Sequence, residues 1–186
     1  DPQRLGQALE LLDEIQCNMV RCWGGNVYES QEFFDFCDEK GIMVWQDFAM
    51  ACGFYPQDDD FYNRIRQEAE IIVKRLRQHP SLAIWCGDNE CDLFAAICYG
   101  YSTLDPNSNQ ITRRILPEVL AKNAPSLPYL PSSPYIVQKG LQHYAEDHLW
   151  GPRNYFKSYY YDQSTCCFAS EIGYHGCPSA KSVKKF

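Results

Sequence analysis

The feature that most limits what this chain can fold into is the alternation of short apolar runs with helical stripes. Residues 2–16 set Leu5, Leu9, Leu12 and Ile15 at helical spacing. Asn18-Met19-Val20-Arg21-Cys22-Trp23 follows, a run the length of one buried strand, closed by Gly24-Gly25. Ser30 can cap a second helix whose one face carries Phe33, Phe34 and Cys37 and which Gly41 stops. Ile42 to Phe48 is a second strand. A loop with three aspartates, Asp58-Asp59-Asp60, starts a third helix with the stripe Ile65, Ala69, Ile72, Val73 and Leu76. His79-Pro80-Ser81 ends it, because a residue before proline resists the helical region. Leu82 to Gly87 is a third strand. A looser helical stretch near 91–98, a helix near 110–122, and strands at Leu127–Leu130, His148–Trp150 and Cys166–Glu171 complete the pattern. Near-continuous apolar strands separated by helices predict a parallel sheet covered by helices, in a doubly wound sheet or a barrel. No G-x-G-x-x-G or Walker sequence follows a strand, so the nucleotide-binding version lacks its usual support.

In parallel α/β architectures the ligand lies at the carboxyl ends of the strands. The residues that close the strands here are Arg21 and Trp23, Gln46 and Asp47, Asp88, Asn89 and Glu90, Ser132 and Ser133, His148 and Trp150, and Glu171. A core needs no such collection of polar and aromatic groups. A sugar site does: rings to stack on, carboxylates, and amides or hydroxyls for the substrate's hydroxyls. Aromatic residues make up 15% of the chain and the formal net charge is −7. That balance argues against nucleic acid and against an anionic membrane surface as the partner. No run approaches the ~20 apolar residues of a membrane-spanning helix, and Asp1-Pro2-Gln3-Arg4 lacks the features of a signal peptide.

Two strand-end carboxylates, Glu90 and Glu171, match what glycoside hydrolysis requires. One group protonates the leaving oxygen, and the other attacks the anomeric carbon or activates a water. From position alone, each is equally readable as a helix N-terminal acid stabilised by the dipole.

Trp85-Cys86-Gly87-Asp88-Asn89-Glu90 resembles the W-x-G-x-N-E segment of retaining glycoside hydrolases built on (β/α)₈ barrels, in which Asn-Glu closing a strand is the acid/base signature. Arg21-Cys22-Trp23-Gly24-Gly25-Asn26 is similar to the R-x-W-G-G segment of glycoside hydrolase family 2, in its β-mannosidase-like branch. Val44-Trp45-Gln46-Asp47-Phe48, His79-Pro80-Ser81, Pro131-Ser132-Ser133-Pro134 and Phe168-Ala169-Ser170-Glu171-Ile172-Gly173 resemble the same branch, in the same order.

The resemblance implies an α/β fold, a (β/α)₈ TIM barrel that is incomplete, with about strands 2 to 7 present. Residues 1–186 would be a partial catalytic barrel domain without an internal linker. Strand 1 would precede Asp1, strand 8 would follow Phe186, and the family's β-sandwich domains would lie outside the chain. It implies a retaining hydrolase acting on a terminal β-linked sugar, a β-mannosidase, by double displacement through a covalent glycosyl-enzyme. An exo-β-glucosaminidase of the same branch and a non-catalytic carbohydrate-binding fragment are the alternatives. Glu90 would be the general acid/base and Glu171 the nucleophile, their carboxyls ~5–5.5 Å apart. Asn89 would bond the sugar 2-hydroxyl, Trp23 would line the subsite, Arg21 would lie near the nucleophile, and His148 and Trp150 would be wall residues. Asp88 stands where asparagine is common in the family, and either a site role or capping of the next helix fits it. Asp47 is equally open, and Trp45 reads as core. No metal or organic cofactor is needed. The expected partners are a carbohydrate substrate and the remaining domains of the full-length enzyme, with no nucleic acid and no membrane.

The ten cysteines contain no C-x-x-C pair. They read mostly as small buried hydrophobes of a reducing compartment, and the expected location is cytoplasmic. His143 and His175 show no metal-like spacing and read as surface or loop residues. Tyr159-Tyr160-Tyr161 fits packing or a cleft equally well, and the basic ending from Lys181 reads as the exposed face of a helix begun near Pro178.

Overall fold

The structure is a computed structural model that describes residues 2–100, 103, 105–136, 146–152, 155, 157–173, 176 and 178–185. The chain divides into two compact units, Asp1–Gln142 and His143–Phe186.

The first unit alternates helix and strand as its apolar pattern predicts: α1 (Pro2–Glu14), β1 (Met19–Cys22), α2 (Gln31–Lys40), β2 (Met43–Asp47), α3 (Asp59–Leu76), β3 (Leu82–Cys86), α4 (Cys91–Tyr99), α5 (Leu116–Asn123) and β4 (Tyr129–Leu130). Its strands form one parallel sheet in the order β1-β2-β3-β4. A helix lies between each pair of neighbouring strands, because parallel strands need a crossover.

The helix boundaries follow from local chemistry. The Asp58 carboxylate accepts from the Phe61 amide at 2.9 Å, Asp59 and Asp60 fill the first turn of α3, and Lys74 and Arg75 fill the last. Both ends therefore suit the helix dipole. Gly41 takes the left-handed conformation (φ 69°) that closes α2 and returns its N–H to the Cys37 carbonyl. Ser30 stands at the N-cap of α2 as expected, but its hydroxyl makes no capping bond. Ile15 is also corrected: α1 stops at Glu14, one residue before the fourth apolar position, and Ile15 is 69% exposed. Before α5 the chain makes a π-helical turn, Ile111–Ile115. Pro117, in the first turn of α5, has no N–H to return four residues back.

The buried faces meet in one core beneath the sheet. Phe33, Phe34 and Cys37 of α2, Ile72, Val73 and Leu76 of α3, and Ile111, Ile115 and Leu116 pack on Val44, Leu82 and Trp85. Phe48 stacks on Trp85 with ring centroids 4.9 Å apart. Each such large apolar side chain contributes roughly 1.5–3 kcal/mol by leaving water.

The second unit contains β5 (Glu146–Trp150) and β6 (Phe168–Gly173), paired in parallel, and a short α6 (Ala180–Val183). Tyr161 donates its hydroxyl to the carbonyls of Gly151 and Gly173, and Tyr160 packs edge-on against it (5.1 Å), while Tyr159 is 74% exposed. Two of the three tyrosines are thus packing residues.

All six expected strands are present, in a four-stranded and a two-stranded parallel sheet. Among the described residues there is no closed barrel. Closure requires unbroken pairing around the ring, and β4 contributes only two residues to the edge of the larger sheet. The reading of the cysteines also changes. Of the nine described, all are free thiols, but only Cys22, Cys37, Cys86 and Cys91 are buried, whereas Cys52, Cys98 and Cys167 are exposed. His143, His175 and Cys177 lie outside the described residues. No described helix is long and apolar enough to cross a membrane.

Candidate functional site

In the first unit the carboxyl ends of β1, β2 and β3 gather Arg21, Asp47, Asn89 and Glu90. Asp47, only 1% exposed, is their anchor. It accepts from Arg21 Nε (3.2 Å) and Nη2 (2.7 Å), from Trp45 Nε1 (2.8 Å) and from the Gly24 amide (3.0 Å). Burial pushes its carboxyl up from the ordinary aspartate range, against the pull of Arg21 and of these bonds. Four donors on one carboxylate leave the guanidinium a single orientation, with Nη2 also reaching Asn89 Oδ1 at 2.9 Å. Asn89 then presents its NH₂, whose described partner is Cys52 Sγ at 3.4 Å. Trp45 is core, as expected, and its indole N–H serves the site from beneath.

Glu90 follows Asn89 at the start of α4, half-buried, with φ 59° and ψ 15°. This left-handed conformation is costly for a residue with a side chain. Its N–H bonds the Ser133 carbonyl (2.8 Å) and its own carbonyl accepts from Phe94 (2.7 Å). Cys52 Sγ donates to Glu90 Oε2 at 3.4 Å. Beneath, Asp88 is fully buried and accepts from Ser132 Oγ (2.5 Å), the Cys91 amide (3.1 Å) and Asn109 Nδ2 (3.3 Å). Burial, with Asp92 beside it, pushes the Asp88 carboxyl up to about 7. Asp92 is likewise raised by burial, opposed by its ion pair with Arg113. Asp88 therefore does cap the following helix.

A cavity of about 140 Å³ opens beside these residues. Phe54 and Tyr55 line it just past Cys52, and Cys91, Asp92 and Tyr99 line it just past Glu90. Phe54, Phe94 and Tyr99 form a ring cluster at its edge, with centroids 5.1 and 5.2 Å apart.

In the second unit His148 and Glu171 are register partners on β5 and β6. His148 Nδ1 lies 3.5 Å from Glu171 Oε2, and Trp150 Nε1 donates to the same oxygen at 2.8 Å. Ser170 bonds Glu146 on the other face of the pair.

Trp23 and Trp150, at 41% and 40% exposure, share an arrangement. A Cβ on Gly25 would stand 2.1 Å from the Trp23 ring, and a Cβ on Gly173 would stand 2.2 Å from the Trp150 ring. Each exposed indole lies against a glycine that no larger residue can replace without moving the ring. A wide, supported ring face is what a sugar's apolar side requires.

Cys52 was not marked as a site residue by the sequence. It sits in a loop with no motif, and the bond between its amide and the Asn89 carbonyl (2.8 Å) helps to bring it beside Glu90. Asp35, Asp38 and His79 offer ligand atoms within 4.8 Å of one another. They are engaged otherwise: His79 bonds Asp38 Oδ2 (2.6 Å) and Gln31 Nε2 (3.0 Å), and Ser81 N bonds Asp38 Oδ1 (2.9 Å). The network fastens α2 to the turn before β3.

The ends of the parallel strands thus carry carboxylates, an Asn-Glu sequence held by bonds to neighbouring loops, and exposed tryptophans. No protein-family model matches the chain. It is 37% identical over 187 residues to β-mannosidase B of Thermothelomyces thermophilus, an alignment covering 90% of this chain and 21% of that protein. It is 35% identical to β-mannosidase of Bos taurus over 95% of this chain and 22% of that protein. Its structure is similar to the crystal structure of β-D-mannosidase from Dictyoglomus thermophilum, with a TM-score of 0.82 and 38% identity, covering 97% of this chain and 23% of that one. A Bacteroides uniformis β-glucuronidase shares the fold at 19% identity and a TM-score of 0.55, over 69% of this chain and 16% of that one. The chain belongs to the β-mannosidase-like branch of glycoside hydrolase family 2. It spans about a fifth of the length of the curated relatives it matches.

Proposed function

We propose that this chain carries catalytic residues of a retaining β-mannosidase, and that β1 to β6 are strands 2 to 7 of its (β/α)₈ barrel. The observation that carries the reading is the 38% identity over 97% of the chain to a β-D-mannosidase of closely similar structure. The strand-end chemistry supports it independently.

Glu171 is the nucleophile that attacks the anomeric carbon and forms the glycosyl-enzyme. Its Oε2 accepts from Trp150 Nε1, a bond that holds the carboxylate in place. Glu90 is the acid that gives its proton to the leaving oxygen and then, as base, takes one from the incoming water. Asn89 offers its NH₂ to the sugar 2-hydroxyl, oriented by Arg21 and through it by Asp47. Trp23 and Trp150 give the ring faces on which the sugar lies, and His148 stands beside the nucleophile. The cavity beyond Cys52 and Glu90 offers room for part of the leaving group. The substrate is a β-mannoside, and the whole enzyme carries further domains, in keeping with the length of its relatives.

The test is hydrolysis of aryl β-mannoside and aryl β-glucosaminide by the full-length protein beside Glu171→Ala and Glu90→Ala. Mannoside cleavage that Glu171→Ala abolishes supports the reading. Faster cleavage of the glucosaminide shifts it to the exo-β-glucosaminidase. Undiminished cleavage after Glu171→Ala overturns the nucleophile assignment.

A further inference from the structure

Glu90 adopts a backbone conformation that chain chemistry disfavours. A non-glycine residue in the left-handed region is strained, and it persists only where its surroundings over-determine it. Several bonds around Glu90 do this. The Asn89 amide is tied to the Met50 carbonyl (2.9 Å), and the Asn89 carbonyl to the Cys52 amide (2.8 Å). The Glu90 amide is tied to the Ser133 carbonyl, and the Cys91 amide to the Asp88 carboxylate. The last bond is the only one of the four that uses a side chain.

Asp88 does more than a helix cap needs. The oxygen that takes the Cys91 amide also takes the Ser132 hydroxyl at the end of β4, and the other oxygen takes Asn109 from the segment before α5. The Asp88 carbonyl accepts from the Ser133 amide (3.1 Å), whose own carbonyl holds Glu90. The nearby cation, Arg113, pairs with Asp92 rather than with Asp88. A buried carboxylate is costly unless its lone pairs are filled, and here three donors from three segments fill them.

Resting on the reading of Glu90 as the acid/base, we propose that Asp88 is its positioning residue: by tying Cys91, Ser132 and Asn109 to one carboxylate it holds Glu90 in the left-handed turn from which its carboxyl meets the leaving oxygen. The carboxylate touches no substrate. Its effect is on the placement of the proton donor, and so it is felt only where the leaving group needs a proton.

The experiment compares wild type, Asp88→Ala and Asp88→Asn in the full-length protein on two substrates. Phenyl β-mannoside needs the proton, and 2,4-dinitrophenyl β-mannoside leaves without it. Positioned general acids contribute about 10²–10⁴-fold, so partial misplacement is expected to lower kcat/KM of Asp88→Ala on the phenyl substrate by about 10–100-fold, with several-fold or less on the dinitrophenyl one. Asp88→Asn recovers most of the loss, because its carbonyl still accepts from Cys91 and Ser132. Equal losses on both substrates, or none on the phenyl one, overturn the proposal. Should Asp88→Ala fail to fold, Ser132→Ala removes one tether alone and is read by the same selectivity. The crystal structure of Asp88→Ala, or of Ser132→Ala where Asp88→Ala does not fold, gives a readout free of activity: Glu90 leaves the positive-φ region, and its staying near 59° overturns the proposal. A wild type that cleaves neither mannoside refutes the β-mannosidase reading, while the crystal structure still decides the role of Asp88.

Discussion

Trp150 Nε1 donates to Glu171 Oε2 across 2.8 Å, from the end of one parallel strand to its neighbour. The bond joins the indole that packs against Gly173 to the carboxylate proposed as nucleophile, so on that proposal one side chain would both line the site and fix the reacting group. Trp150→Phe keeps a ring on Gly173 and removes the donor. Hydrogen bonds to charged groups are worth about 1.5–3 kcal/mol, so kcat/KM on aryl β-mannosides is expected to fall about 10–100-fold. Steady-state rates check this, and a change under twofold would mean the bond has no part in the reaction.

The Arg21–Asp47 pair is an ordering device bought at a stability risk. With Asp47 buried, Asp47→Ala leaves a guanidinium without its counter-charge and is expected to destabilise the protein by about 3–5 kcal/mol. Arg21→Lys keeps the charge but loses the fork that reaches Asp47 and Asn89 together. Its cost should therefore appear in activity more than in stability. Urea unfolding beside kinetics separates the two, and an Asp47→Ala protein as stable as wild type would remove the anchor role.

Cys52 is exposed and lies 3.4 Å from the Glu90 carboxylate. Alkylation by iodoacetamide places an amide group where Glu90 must work and is expected to abolish activity, at a rate slowed by bound mannose. Cys52→Ala should resist inactivation even though Cys98 and Cys167 also react. Peptide mass mapping against residual activity checks the assignment, and equal sensitivity of Cys52→Ala would discard it.

Asp88 gives the stability of the protein a pH dependence of known sign. Its pKa in the folded state, raised by burial and by Asp92 to about 7, lies above the ordinary 3.8. The folded state thus holds a proton that the unfolded chain has released. The associated stability is whole below about pH 4 and is lost as pH rises through about 7. Asp88→Asn carries no such proton, so its stability relative to wild type should improve from pH 5 to pH 8. Thermal melts across that range are the check, and a parallel pair of curves would contradict it.

Much of this architecture was legible before the structure, for a physical reason. Buried parallel strands read as continuous apolar runs, and the runs through Val20, Val44 and Ile84 became β1, β2 and β3. By contrast, β5 carries Glu146, Asp147 and His148, β6 is partly exposed, and both are more weakly marked. Gly41 and Asp58 acted where their conformational and capping preferences placed them. Ile15 misled because spacing marks a face and does not say where the helix stops. The exposed thiols misled because cysteine's usual burial says nothing about Cys52, whose place depends on a bond to Asn89. Asp47 and Asp88 stayed ambiguous for the same reason. Their partners lie 26 residues away at Arg21 and 44 away at Ser132, and nothing local predicts such a bond. The strand-end positions of the site residues could be read from the pattern, but the bonds that orient them could not.

Gly24 and Gly87 carry a consequence for anyone who redesigns this scaffold. A Cβ on Gly24 would stand 2.4 Å from the Met50 carbonyl oxygen, and one on Gly87 would stand 2.2 Å from that of Pro131. At both places the loop leaving one strand leans its bare backbone on the loop leaving the next. Loops in such folds are commonly treated as interchangeable cassettes. Here they come as interlocked neighbours, so a transplant that replaces one loop must carry the facing one with it, and new specificity has to be grafted two loops at a time.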